Sequence, residues 1–152
     1  AMILALEGEI MVDQGKFTAA HKAFDKAVEL SPENYQIMNN YAYYLALRNQ
    51  SLQKAESLIK KAVASCPENV SMADTYAFVL LKMERYKEAR AWIERAIKNN
   101  GVDHAVYLEH YGDILFLTGD PVAALLQWEK ARAAGNYSEK LSRKINDKKY
   151  IK

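Results

Sequence analysis

The sequence predicts an all-α solenoid of four helix-turn-helix units followed by a C-terminal capping helix. Three ladders predict it. Tyr41, Tyr76 and Tyr111 lie 35 residues apart, and each precedes a small residue, Ala42, Ala77 or Gly112. Ala20, Ala55, Ala89 and Ala124 keep nearly the same period, as do Ala27, Ala62, Ala96 and Ala131. A fixed period of about 34 residues marks stacked repeats, because one such unit cannot bury its apolar face alone.

Unit one carries Leu4, Gly8, Met11, Ala20, Phe24 and Ala27, and Pro32 closes it. Unit two carries Met38, Tyr41, Ala42, Leu45, Ala55, Ile59, Ala62 and Pro67. Unit three carries Ala73, Tyr76, Ala77, Leu80, Ala89, Ile93 and Ala96; unit four carries Leu108, Tyr111, Gly112, Leu115, Ala124, Trp128 and Ala131. Steps of three and four place each set on one helix face, with two helices per unit. The small residues let the partner helix approach while the large residue beside them fills the neighbouring space.

Turn signals separate the elements. Gln14-Gly15, Arg48-Asn49-Gln50, Glu84-Arg85 and Thr118-Gly119 divide first from second helices, and Ser31-Pro32 and Cys66-Pro67 start new units. Asp120-Pro121 reads as an N-cap with proline at the first helical position. Asn99-Asn100-Gly101 ends the third unit, with Asp103 as the cap of the next helix. The expected helices are 2–14, 17–30, 34–47, 52–65, 69–83, 86–98, 104–117 and 121–134, in repeats of about 1–34, 35–69, 70–104 and 105–137. Extra residues near 48–54 and 97–104 fall in turns, where insertions are tolerated. A capping helix over 138–149 starts at Ser138; Leu141 and Ile145 share one face and charge occupies the rest.

The 152 residues fit a single domain, with enough chain for a core that needs no metal or disulfide. Cys66 has no second cysteine to pair with. No apolar run approaches the roughly 18 residues of a membrane span, and no leader pattern precedes the first helix. Ala1-Met2 runs straight into a repeat and reads as a junction. Charge is uneven: residues 138–152 carry a net +4 and the remainder a net −2.

These residues resemble the tetratricopeptide repeat (TPR). That pattern has a large residue at position 4, a large-small pair at 7–8, an apolar residue at 11, Ala at 20 and 27, an aromatic at 24 and Pro at 32. The resemblance covers residues 1–134, and four copies agree. Departures are the lack of Trp at position 4, Glu7 at position 7 of unit one, and no closing proline in units three and four. Unit four and its tail (Tyr107 to Asp113, then Gln127 to Ala131) also look like the C-terminal module of larger bacterial TPR proteins, many of them envelope-associated. The resemblance implies a right-handed superhelix that binds other proteins, without catalysis or cofactor. The compartment stays open between the cytoplasm and, with an upstream signal, the bacterial envelope.

In TPR proteins the first helices line a concave groove. The resemblance therefore implies that Glu9, Asp13, Asn39, Tyr43, Asp74, Phe78, Glu109, Asp113 and Phe116 form a partner-binding surface, along with Met2, Ala5, Val12, Leu81 and Lys82. Such a groove is acidic with aromatic platforms, suited to a peptide bearing basic and apolar side chains. The carboxylate clamp of co-chaperones is argued against by Ala5 and Glu9, where it needs Lys and Asn, and by Asp74. RNA binding needs a basic groove, which these residues do not make. His110 beside Glu109 and Asp113 has no second His or Cys at metal-ligand spacing and reads as a packed histidine at a unit boundary. Trp128 reads as core, and Trp92 as packing near a unit junction. Met2, Ile3, Leu4 and Leu6 begin unit one abruptly, so self-association through this uncapped end is the alternative.

Overall fold

The computed structural model describes residues 1–100 and 103–152. Gly101, expected to end the third unit, lies outside the described residues. Among the described residues the chain forms nine helices and no strands, every helix ending within two residues of its expected bounds. Two compact units result. The first, Ala1–Pro67, holds α1 (Met2–Asp13), α2 (Phe17–Leu30), α3 (Tyr35–Leu47) and α4 (Leu52–Ser65). The second, Glu68–Lys152, holds α5 (Val70–Lys82), α6 (Tyr86–Asn99), α7 (Ala105–Leu117), α8 (Pro121–Ala133) and α9 (Glu139–Asp147).

Local chemistry sets the helix starts. Asn34 Oδ1 accepts from the Ile37 amide (3.2 Å) and Asn69 Oδ1 from the Met72 amide (2.9 Å), so the cap is two residues past each Ser-Pro or Cys-Pro pair. Asp120 accepts from the Ala123 amide at 3.3 Å with Pro121 behind it, and Ser138 Oγ from the Leu141 amide at 3.1 Å, both at the expected positions. Asp103 is not the cap of α7. His104 occupies that position, and its side chain makes no capping bond.

The four turns between first and second helices share one geometry. Gly15, Asn49, Glu84 and Gly119 all have positive φ, and the next amide reaches back to a carbonyl five residues earlier, as in Lys16 to Met11 (2.8 Å) and Asp120 to Leu115 (2.9 Å). This closure satisfies carbonyls that a helix end leaves open. Glycine adopts it without strain at Gly15 and Gly119.

Each first helix packs chiefly on the second helix of its own repeat. Both alanine ladders are solvent-free or nearly so, and the side chains facing them are large. Gly8 sits under Phe24: a Cβ there would lie 3.0 Å from the ring. Gly112 sits under Trp128, where a Cβ would approach the indole to 2.4 Å. The tyrosine ladder joins helices. Tyr41 stacks on Phe24 at 4.9 Å and donates to Asp25 Oδ1 at 2.8 Å, and Lys54 pairs with the same carboxylate. Burial, reinforced by Asp25, pushes the Tyr41 phenol up to about 12. Trp92 packs on Tyr76 of its own repeat at 4.7 Å.

Candidate partner-binding surface

The candidate residues divide between the two units, and the two sets differ in what already holds them. In unit 1, α1 supplies Glu9 and Asp13 while α3 supplies Asn39 and Tyr43. Glu9 accepts from Asn40 Nδ2 at 2.9 Å, and Asn40 in turn accepts from Gln36 Nε2 at 2.8 Å. Asn39 is buried, Tyr43 is half-buried and Asp13 is exposed. Tyr43 meets Tyr44 edge-on at 5.9 Å. Burial raises the Tyr44 phenol above its usual range, and the charges of Glu9, Asp13 and Tyr43 raise it further. Sequence reasoning missed Tyr44. Its signal was position: it lies seven residues from Ile37 and three from Tyr41, on the edge of the core stripe. Ala5, expected on this surface, is instead core.

In unit 2 the carboxylates are largely withdrawn from solvent. Asp74 on α5 is buried and its Oδ1 lies 2.9 Å from His110 Nδ1 of α7. The His110 ring stacks on Phe78 at 4.5 Å. Asp113 is buried as well. Its Oδ1 accepts from Trp128 Nε1 at 3.0 Å, and its two oxygens accept from Lys144 Nζ at 2.8 and 2.9 Å. The same ammonium reaches Glu109 Oε1 at 3.0 Å, and Asn136 Nδ2 donates to Glu109 Oε2 at 2.7 Å. Phe116 lies half-buried against Trp128 at 5.9 Å.

This corrects the expectation that Asp74, Glu109 and Asp113 offer free negative charge. The physical reasons are His110, which holds Asp74, and Lys144, which holds Glu109 and Asp113 and sits on the capping helix between Leu141 and Ile145, on a buried face. Spacing carried that signal, since Lys144 lies three residues after Leu141 on the same stripe. Burial lowers the Lys82 ammonium below its usual value, the charges of Lys140, Lys152 and Lys144 lower it further, and Asp113 opposes them. Leu81, beside it, is buried.

His110 gives this unit a pH signature. Burial disfavours the imidazolium, but the carboxylates of Asp74, Asp113 and Glu109 outweigh it and hold the ring above its ordinary 6.5. A raised folded value adds stability that is complete below 6.5 and disappears as pH climbs through the folded value. The melting temperature should therefore fall across that window, and His110→Gln should flatten the profile there. An unchanged slope in the variant would assign the pH dependence to another group.

Among the described residues no group of three or more His, Cys, Asp or Glu is placed to hold a metal, and no helix is long and apolar enough to cross a membrane. The paired-helix geometry, with its repeated turn and buried alanine ladders, is matched by known families. The model described as the cytochrome c-type biogenesis protein H TPR domain matches residues 4–101. The chain belongs to this TPR family. A second model, of the tetratricopeptide repeat, matches residues 79–138 of the TPR chain. No curated protein sequence matches it.

Solved TPR structures share its fold. A TPR protein from Parabacteroides merdae is 18% identical with a TM-score of 0.81, over 95% of this chain and 56% of that one. The chain thus spans a little over half of that relative's length. A thermophilic TPR protein from Thermus thermophilus is 16% identical with a TM-score of 0.84, over 97% of this chain and 80% of that one. PilF of Pseudomonas aeruginosa is 16% identical with a TM-score of 0.74, over 95% of this chain and 69% of that one. The TPR α-solenoid is generally a protein–protein interaction scaffold, and its families are generally non-catalytic.

Proposed function

We propose that this TPR chain is a protein-interaction module whose α1–α3 face in unit 1 binds a peptide segment bearing basic and apolar side chains. One observation carries the reading: α1, bearing Glu9 and Asp13, is tied to α3, bearing Tyr43 and Tyr44, by the Asn40–Glu9 hydrogen bond, and neither helix contains Lys or Arg. Asp13 has no ion-pair partner among the described residues. Carboxylates beside aromatic faces suit a cation on an apolar stem. Unit 2 supplies an internal precedent, because Lys144 fills the equivalent role against Glu109 and Asp113. The matched family model is named for cytochrome c-type biogenesis protein H, and that name supports seeking the peptide among proteins of that process.

Fluorescence anisotropy with a labelled Lys/Leu peptide tests it. Asp13→Lys should weaken binding by about tenfold, and so should raising salt from about 50 to 500 mM. Tyr43→Ala should weaken it by a similar factor, since aromatic anchors dominate such contacts. Affinity that ignores both salt and Asp13→Lys would sink the proposal.

A further inference from the structure

The outer face of α1 is a second surface that the groove reading does not use. Ile3, Leu6 and Ile10 are 73%, 54% and 55% exposed, although they recur at helical spacing of three and four. Isolated exposed apolar residues are ordinary; three in register on one helix form a patch. Among the described residues, α1 packs on α2 and α3, and both contacts lie on its other side, where Ala5 and Gly8 are buried.

Charge selects the occupant. Exposed Glu7 flanks this stripe on one edge and Glu9 and Asp13 lie along the other, with no cation anywhere in α1. Two copies meeting through it would bring like-charged edges together with nothing in either helix to offset them. A basic amphipathic helix meets both requirements, inserting its apolar residues between Ile3, Leu6 and Ile10 and its cations beside the carboxylates. The chain contains such a helix in α9, where Leu141 and Ile145 are buried and Lys144 pairs with two carboxylates of α7.

We infer that the Ile3–Leu6–Ile10 stripe of α1 docks a basic amphipathic helix of a partner protein; it borders Glu9 and Asp13, which it shares with the α1–α3 peptide surface, but it does not use Tyr43 or Tyr44. The probe is a synthetic peptide of about 20 residues, long enough to be helical in water, with Leu in one stripe and Lys elsewhere. A photo-reactive residue in the Leu stripe should crosslink to α1 near Leu6. Leu6→Asp with Ile10→Asp should lower affinity at this site by about tenfold or more, because it removes the apolar contact and adds like charge. Both positions are exposed, so the melting temperature should stay put, which separates lost docking from lost folding. Tyr43→Ala should leave this crosslink intact, so failure here and failure of the peptide surface are distinguishable. The proposal is overturned if the double variant binds and crosslinks like the parent. It is equally overturned if light scattering shows a dimer that the double variant abolishes, which would make the occupant a second copy.

Discussion

Replacing Lys144 by methionine should destabilise unit 2 by about 3–5 kcal/mol, measured by urea unfolding followed through tryptophan fluorescence. The size follows from burial. The ammonium is 3% exposed and holds both oxygens of Asp113, itself nearly solvent-free. Methionine keeps the length of the stem but removes the cation, so Asp113 is left as a buried charge with only Trp128 Nε1 donating to it. The damage should be repairable. Asp113→Asn removes the stranded charge and keeps an oxygen for the indole N–H, so the double variant should recover much of the loss. A cost below about 1 kcal/mol for Lys144→Met would show the pair to be worth no more than a surface bridge.

Trp128→Ala should cost about 3–5 kcal/mol, as large-to-small changes at closed core sites do. Trp128 is fully buried, forms part of the core with Leu108, Leu115, Ala131 and Leu141, and provides a hydrogen bond to Asp113. The same side chain explains the glycine opposite. Gly112→Ala should cost about 1–3 kcal/mol in the parent, because the new methyl meets the indole. In the Trp128→Ala background it should cost far less, since its clash partner has gone. The coupling, read from a double-mutant cycle, is the measurement that matters. Additive losses would mean that Gly112 is small for some other reason.

The fold was legible because its determinants are local and repeated. Ladder residues such as Ala20, Ala55, Ala89 and Ala124 report one buried position four times. Ser138 and Asp120 announce their caps by residue type and spacing alone. The candidate surface was legible only in part. Carrying a helix face over from the family groups Asp74 and Asp113 by repeat position on α5 and α7, yet charge on a face does not say whether the charge is spent. That depends on His110 and Lys144, which lie 36 and 31 residues away in the chain. Long-range polar pairs have no period, so a repeat pattern cannot announce them. In unit 1 the reverse holds: α1 and α3 carry no cation of their own, and this absence is visible in the letters.

The ion pair of the capping helix has a consequence for modularity. Repeats are commonly treated as interchangeable bricks, but the fourth is not. At the place where it has the buried Asp113, the second and third have Tyr43 and Phe78, and the first has Glu9, which is only half-buried and accepts from the Asn40 side-chain amide of the next repeat. Moving the fourth repeat inward, or adding a fifth after it, would require the next helix to bring a cation to the spot now held by Lys144. A following helix without that cation would leave the buried Asp113 with Trp128 Nε1 as its donor. Asp113 and Lys144 therefore tie the fourth repeat to the helix that follows it: the carboxylate buried in one is neutralised by the ammonium carried on the other.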